Sequence, residues 1–437
     1  MDLLFTDVLL LTMTEERPRP FTGVLGIAGN RIELLSDAPD AAAAFRAAHP
    51  AARVINGRGK LLMPGLIDTH CHAAMTLQRS YADDITLMEW LNDYIWPFEA
   101  CQTPDDIALG MTLALVELLL GGVTSVVDMY FHEDRCVEVV RALGIRAMLG
   151  CSHFEQDADE AMRCAERALA KAAGCDRIRI AIAPHSGYTC SPETLVRCKE
   201  FARRNGLCYI SHLAETQDES RIVAERYGRT PVQHYEALGL LDERTIAAHC
   251  VHVSDEDIAL LAKRGVTVAH NPQSNMKISS GVAPVWKMMQ AGVRMTVATD
   301  GPCSNNDLDL FEELRTATFL QKSATGDPLS LPAWEALRMA TANGARAMGR
   351  ADGELGVLCE GALADVILID LQKPHLQPVH DVVSNIVYAG KAADVETVVV
   401  DGELVVENRC LRGVDLPALY RDVAAAVARI TAACKRS

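Results

Sequence analysis

The stretch MPGLIDTHCH, residues 63–72, ends with two histidines that are separated by one cysteine. Neighbouring side chains of an extended chain alternate between its two faces, so His70 and His72 point to one side and Cys71 to the other. Two imidazoles on one face can bind the same metal ion. The apolar residues before them are typical of a buried strand, which gains nothing from ending in histidine. We therefore interpret His70 and His72 as candidate metal ligands.

The middle of the chain has the rhythm of an α/β protein. From Leu61 onward, apolar β-rich runs alternate with stretches of helical periodicity, which predicts parallel strands joined by helices. Eight near-continuous apolar runs favour a (β/α)8 barrel. The runs are LLMPGLID, TSVVDM, RAMLG, RIRIAIAP, LCYIS, TIAAHC, VTVAHN and VRMTVATD.

The two ends of the chain are short and rich in strand patterns, and each is small for an independent core. We expect them to combine into one small β-sandwich domain, formed by residues 1–58 and 353–437 and completed by a C-terminal helix. The catalytic TIM-like (β/α)8 barrel is then predicted over residues 59–352. The predicted fold class is α/β.

Composition and charge restrict the partners of this protein. A formal net charge of −16 argues against nucleic acid and anionic membranes, which prefer a basic surface. The 14 cysteines are scattered, and no secretory signal or long apolar span is evident, so reduced thiols in a cytoplasmic protein are expected. We expect a small-molecule partner, and the sequence leaves open whether the chain forms a homo-oligomer.

The polar residues at the ends of the predicted strands should converge, because catalytic groups of such barrels lie at the C-terminal ends of the strands. A catalytic zinc site uses three or four protein ligands and leaves room for water. His212 in SHLAET and Asp300 in VATDG complete a His3Asp set with His70 and His72. Such a set suits zinc but also iron or nickel.

Glu215 follows His212 by three positions and is expected on the first turn beyond the strand. A carboxyl group there would lie close to the metal without binding it, which is where a proton shuttle is needed. We therefore predict a catalytic role for Glu215.

The ordered pieces PGLIDTHCH, HLAET, AAHCVH and ATDGPCSNN resemble the amidohydrolase superfamily, in its branch of mononuclear-metal aminohydrolases. The segment MTLQRSYADDITLMEWLNDYIWPFEA resembles the loop after strand one in methylthioadenosine/S-adenosylhomocysteine deaminases. Binuclear relatives use a carboxylated lysine at the end of strand four, whereas RIRIAIAPHSGY contains none. The resemblance thus implies one ion per chain, Zn2+ first and Fe2+ or Ni2+ as alternatives.

The resemblance also implies roles for individual residues. His70, His72, His212 and Asp300 bind the metal. Asp300 also takes part in catalysis together with Glu215 and with His249, which positions or polarises the attacking water. The substrate contacts implied by the resemblance are Trp90, Glu99, His185 and Glu215.

The implied activity is metal-dependent hydrolytic deamination, with ammonia released from an amino-substituted heteroaromatic ring. An adenosine-type nucleoside such as 5′-methylthioadenosine or adenosine is favoured, because MLGCSHFEQDADE lacks the arginines that hold a homocysteine carboxylate in the deaminases. Alternatives are a triazine-type chlorohydrolase and an aminohydrolase of guanine, pterin or cytosine-like rings. A metal- or ligand-binding protein without turnover is a further alternative, which the presence of Glu215 and His249 disfavours.

Overall fold

The computed structural model describes residues 2–85 and 89–435, and its strands form two sheets. Residues 86–88, which belong to the loop segment quoted above, lie outside the described residues, as do residues 1, 436 and 437 of the predicted small domain. The strands are, in chain order, β1 (Leu3–Leu10), β2 (Phe21–Ala28), β3 (Arg31–Ser36), β4 (Arg53–Asn56), β5 (Lys60–Pro64), β6 (Leu66–Cys71), β7 (Val123–Tyr130), β8 (Arg146–His153), β9 (Ile178–Pro184), β10 (Cys208–Leu213), β11 (Thr245–His249), β12 (Thr267–His270), β13 (Arg294–Val297), β14 (Val366–Asp370), β15 (Val395–Val400), β16 (Glu403–Glu407) and β17 (Cys410–Leu411).

Strands β6 to β13 form a parallel sheet in which each strand pairs with its neighbours in the sequence. Beyond β13 the chain returns to β6, where the Asp300 N–H donates to the His70 carbonyl oxygen at 2.9 Å and the Thr69 hydroxyl donates to the Val297 carbonyl oxygen at 3.2 Å. These contacts close the sheet into a barrel. The predicted α/β barrel class is confirmed.

Helices alternate with the barrel strands, and several begin at a side chain that caps them. Ser254, for example, accepts a hydrogen bond from the Asp257 N–H at 3.1 Å and so caps the helix Asp255–Arg264. None of the described helices has the length and hydrophobicity that crossing a membrane requires. The α-helices are Ala41–Ala48, Trp96–Ala100, Pro104–Leu120, Glu133–Leu143, Ala158–Ala172, Pro192–Asn205, Gln217–Tyr227, Pro231–Ala237, Asp255–Arg264, Pro272–Lys277, Val285–Gln290, Leu310–Thr325, Ala333–Met339, Ala342–Ala347, Val382–Ala389 and Leu416–Cys434.

The prediction of the first barrel strand was wrong in one respect, because the run LLMPGLID is divided between two sheets. Its first half is β5, which pairs with β1 and β14, and its second half is β6 of the barrel. The change occurs at Gly65, where a Cβ atom would lie 2.2 Å from the Thr124 side chain. Both halves are buried and apolar, so periodicity alone cannot separate them.

The second sheet is mixed and is built from both ends of the chain. Its strands follow the order β17-β16-β15-β14-β5-β1-β2-β3, and β4 pairs in parallel with β1. Leu3, Phe5, Leu25, Leu62 and Val366 are among the buried residues of its core. The residue limits given above for the two domains remain predictions.

A buried ion pair joins the barrel to the mixed sheet. Arg146, at the start of β8, donates two hydrogen bonds of 2.9 Å to the carboxylate of Asp365, which immediately precedes β14. Both side chains are 1% exposed. Asp365 also accepts the Asp401 N–H, and its carbonyl oxygen accepts the Gly65 N–H. The pair therefore holds together the segments that link the two sheets.

We expect Arg146→Met to lower the free energy of unfolding by about 3–5 kcal/mol, because it leaves the Asp365 carboxylate buried without its partner. Urea denaturation followed by circular dichroism measures this loss. Arg163→Ala is the matched control, since its pair with Glu160 is exposed and contributes less than about 1 kcal/mol. Equal losses in the two variants would contradict a structural role for the buried pair.

Candidate active site

Four potential metal ligands lie together at the C-terminal end of the barrel. His70 and His72 come from the end of β6, His212 from β10 and Asp300 from the segment after β13, and one ligand atom from each lies within 4.8 Å of the others. His72 Nε2 is 3.2 Å from both His212 Nε2 and Asp300 Oδ1. His70 Nε2 is 3.4 Å from Asp300 Oδ1. Three imidazoles and one carboxylate at these distances suit a single divalent ion.

Backbone carbonyl groups orient two of the imidazoles. His72 Nδ1 lies 2.6 Å from the Met129 carbonyl oxygen, and His212 Nδ1 lies 2.8 Å from the His185 carbonyl oxygen. A carbonyl oxygen only accepts, so each Nδ1 carries the proton and donates it. The lone pair of each imidazole is therefore on Nε2, the atom that faces the cluster.

His70 shows that this cluster fits a metal. Its side chain is fully buried, and neither ring nitrogen has a hydrogen-bond partner among the described residues. Burial lowers the pKa of His70 to about 4, so the ring is neutral at neutral pH. Leaving a buried nitrogen without a partner is costly, and a divalent ion bound at Nε2 would satisfy it.

Asp300 presents one oxygen to the histidines because the other is already held. Its Oδ2 accepts hydrogen bonds from the hydroxyls of Ser274 at 2.5 Å and Ser304 at 2.9 Å, which leaves Oδ1 facing His70 and His72. Burial opposes its charge, but the two imidazoles hold the pKa of Asp300 well below its usual range. The carboxylate is therefore ionised and available as a ligand.

The backbone is strained at several residues of the site. His249, Ala214 and Asp300 have φ angles of 74°, 53° and 62°, in the left-handed region that side chains with a Cβ atom usually avoid. The carboxylate of Glu219 stabilises the turn at Ala214 by accepting the N–H groups of Ala214 at 3.0 Å and Glu215 at 2.8 Å. Such strain persists where the surrounding structure compensates for it, and strained residues of this kind are concentrated at functional sites.

Glu215 and His249 lie beside the metal ligands. Glu215 Oε1 is 3.9 Å from His249 Nε2. Both side chains line the cavity above the cluster, and the Glu215 side chain is only 16% exposed. Burial raises the pKa of Glu215, with the charge of Asp300 acting in the same direction. A carboxyl group with a raised pKa is suited to both taking up and releasing a proton.

One cavity lies directly above the metal cluster and is lined by residues from the ends of several barrel strands. The predicted substrate contacts Trp90, Glu99 and His185 all line it, together with Glu215. Tyr130 donates a hydrogen bond of 2.7 Å to Glu99, and burial raises the pKa of Glu99 to about 7. The structure therefore places every residue of the predicted site at this one cavity or at the adjoining metal cluster.

Sequence reasoning missed an aromatic wall of the same cavity. Tyr130, Phe131, Phe154 and Tyr188 line it, and the Phe154 ring is centred 4.7 Å from that of His185. Each of these residues ends or closely follows a barrel strand, so the rule that found the histidines could have found them. Aromatic side chains after a strand are also common in ordinary packing, so their types alone do not mark a site as histidines do.

Among the described residues that line the cavity, every ionisable carboxyl or basic side chain other than the histidines is a carboxyl group. Asp300, Glu99 and Glu215 line it, and no lysine or arginine does. An adjoining recess contains Glu160, which is ion-paired with Arg163 and Arg167. These guanidinium groups already have a carboxylate partner, so neither is a free cation facing the cavity.

The structure thus combines a (β/α)8 barrel with a His3Asp cluster at the C-terminal ends of its strands. The chain belongs to the amidohydrolase family, whose model matches residues 61–405. The resemblance stated from the sequence motifs is thereby confirmed.

Similar proteins are known as deaminases and as a chlorohydrolase. The 5-methylthioadenosine/S-adenosylhomocysteine deaminase of Syntrophobacter fumaroxidans is 43% identical over 94% of both chains. An adenosine deaminase from Xanthomonas campestris with bound zinc superposes with a TM-score of 0.94, at 34% identity over 99% of both chains. The atrazine chlorohydrolase of Arthrobacter aurescens, complexed with zinc, has a TM-score of 0.89 at 25% identity, over 97% of this chain and all of the other.

We expect the purified protein to contain about one divalent ion per chain and His72→Ala to lose most of it, because one of four ligands is removed. Inductively coupled plasma mass spectrometry measures the metal content. His270→Ala is the matched control, since His270 is also buried at a strand end but lies outside the cluster. Full metal content in His72→Ala, or an equal loss in both variants, would contradict the ligand assignment.

Proposed function

We propose that this protein is a zinc-dependent hydrolytic deaminase of adenosine-type nucleosides, such as 5′-methylthioadenosine or adenosine. The observation that carries the proposal is the position of Glu215 and His249 beside the His3Asp cluster, inside a cavity with aromatic walls. The relatives named as deaminases support the reaction, and the zinc-containing structures that resemble this chain support the metal. Fe2+ and Ni2+ are compatible with the same ligands.

In this proposal, His70, His72, His212 and Asp300 hold the ion. A divalent ion bound there lowers the pKa of a water molecule toward neutrality and so supplies a nucleophile. His249 Nε2 and Asp300 orient that water and accept its proton.

Glu215 acts on the ring that is attacked. In its protonated form, Glu215 donates a proton to the ring nitrogen next to the carbon that bears the amino group, which makes this carbon electrophilic. The C–O bond forms, the C–N bond breaks, and the amine leaves as ammonia once it is protonated. Glu215 gives one proton to the ring nitrogen, takes a second from the hydroxyl group that has added to the ring, and passes it to the departing amine. The proton first removed from the water then restores Glu215 to its protonated form, and the raised pKa of Glu215 suits this cycle.

The cavity walls determine how the nucleoside is held. Trp90 and the rings near His185 offer flat apolar surfaces to a purine, and aromatic contacts of this kind contribute beyond the burial of area. Glu99 supplies a carboxyl group for ribose hydroxyls, and the hydrogen bond from Tyr130 fixes its orientation.

A triazine-type chlorohydrolase is the second candidate function, because the atrazine enzyme has a similar fold and its structure contains zinc. Its identity to this chain is 25%, compared with 43% for the nucleoside deaminase, which favours the deaminase. A binding protein without turnover is disfavoured, since such a site has no use for a buried carboxyl group aimed at the space beside the cluster. Chloride release from a chlorotriazine and ammonia release from adenosine distinguish the two enzymes.

Glu215→Gln should lower kcat by at least about 100-fold while the metal content stays near that of the parent, because the amide keeps its shape but cannot carry the proton. Ammonia release from 5′-methylthioadenosine, read by a coupled glutamate dehydrogenase assay, measures kcat. Glu225→Gln, on the exposed face of the helix that follows, is the control and should behave like the parent. Near-parental turnover in Glu215→Gln would remove Glu215 from the mechanism.

We also expect kcat/KM for S-adenosylhomocysteine to be about 10–100-fold below that for 5′-methylthioadenosine. The carboxylate of the larger substrate finds no lysine or arginine in the described lining of the cavity, and a charge-assisted hydrogen bond contributes about 1.5–3 kcal/mol. A panel of adenosine nucleosides that differ only at the 5′ position measures this ratio. Equal values for the two substrates would contradict the selectivity but not the deaminase activity.

A further inference from the structure

The short helix Pro272–Lys277 follows β12. Two of its side chains contact residues of the site, and these contacts lie outside the cavity. Its Ser274 hydroxyl donates to Asp300 Oδ2 at 2.5 Å, and its Asn275 Oδ1 lies 2.9 Å from His249 Nδ1. Neighbouring residues of one helical turn therefore hold the two side chains that orient the attacking water in the proposed function. We infer that Asn275 is a positioning residue that keeps His249 Nε2 directed at the metal cluster.

The hydrogen bond to Asn275 determines which nitrogen of His249 faces the cavity. Asn275 Oδ1 only accepts, so His249 Nδ1 must carry the proton and donate it. The Asn271 amide nitrogen lies farther from His249 Nδ1, at 3.2 Å, and it could donate to this nitrogen only in the other tautomer, so the shorter contact of 2.9 Å selects Asn275 Oδ1. Asn275 is therefore the partner of Nδ1, and Nε2 is the atom that remains for the water and for Glu215.

Apart from the longer contact to the Asn271 amide nitrogen, no other polar side chain among the described residues lies within hydrogen-bond distance of the His249 ring. Its nearest polar neighbour on the other side, Glu215 Oε1, is 3.9 Å away, which is too long for a hydrogen bond. The His249 backbone is strained at φ 74°, so the residue depends on its side-chain contact to aim the ring. The Asn275 side chain is suited to this task, because it is 1% exposed and cannot exchange its partner for bulk water.

The helix that carries Asn275 is itself held at both ends. The Gln273 N–H donates to the buried carboxylate of Glu313 at 3.1 Å, and Lys277 Nζ donates to the Cys303 carbonyl oxygen at 3.0 Å. Both contacts lead to the segment after β13 that contains Asp300 and to the helix that follows it. Asn275 therefore lies on a helix that is fixed relative to the metal cluster, as a positioning residue requires.

The test compares Asn275→Leu with Asn275→Asp and with Asn343→Leu in the full metal-loaded protein. We expect Asn275→Leu to lower kcat about 10–100-fold, with KM within about 3-fold and metal content unchanged, since only the aim of His249 is lost. Asn275→Asp keeps an acceptor at Oδ1 and should recover most of the activity. Asn343→Leu removes a comparable amide hydrogen bond, to the Met295 carbonyl oxygen, far from the cavity, and should stay near the parent.

The inference is overturned if kcat of Asn275→Leu is within about 3-fold of the Asn343→Leu value, or if Asn275→Asp is as impaired as Asn275→Leu. If Asn275→Leu does not fold, Asn275→Ser takes its place, because the shorter hydroxyl cannot reach Nδ1. Equal activity in the serine and aspartate variants then overturns the inference.

A second readout separates this inference from the proposed function on which it rests. Crystal structures of the parent and of Asn275→Leu should show His249 Nε2 displaced by about 1 Å or more in the variant, a shift of the size that costs an enzyme much of its rate. If the parent releases no ammonia from any adenosine nucleoside, the proposed function fails, and the position of the His249 ring alone decides the inference. An unmoved ring overturns it.

Discussion

The site depends on the closure of the barrel between its first strand and the segment after its last. The hydrogen bond from the Asp300 N–H to the His70 carbonyl oxygen is the contact that brings the carboxylate of the eighth strand end against the two imidazoles of the first. Without closure, the ligands would lie at opposite edges of an open eight-stranded sheet, too far apart for one ion. The same geometry that completes the fold therefore assembles the metal ligands.

Closure alone does not direct the side chains, and a layer of contacts behind the ligands does so. The carbonyl oxygens of Met129 and His185 fix the tautomers of His72 and His212, and the Ser274 hydroxyl occupies the second oxygen of Asp300. Each of these groups lies on a different element, so the arrangement is over-determined by the fold. Ligands held in this way need little reorganisation to bind an ion, so the coordination geometry is well defined before the ion binds.

The sequence predicted all four members of the His3Asp cluster because they obey a simple geometric rule. Histidine at the end of an apolar strand has no use in a core, and the alternation of side chains puts His70 and His72 on one face. This rule about strand ends could not identify Asn275. An asparagine in a short helix has no distinctive position in the sequence pattern, and His249, its hydrogen-bond partner, is distant in the chain. It also could not locate the change of sheet at Gly65, where both flanking strands are equally buried.

Electrostatics gives an independent reason why this cavity needs a cation. Asp300, Glu99 and Glu215 share one buried space, and burial raises the pKa values of both glutamic acids. Three acidic groups without a lysine or arginine among the described lining residues would oppose folding if all were ionised. A divalent ion at the His3Asp cluster offsets the charge of Asp300 and of one further anion, while a protonated Glu215 remains a proton donor. In the proposed function, the acidity of the cavity links the bound metal to the protonation state that the reaction requires, and it is the basis of the selectivity expected against ligands with their own carboxylate.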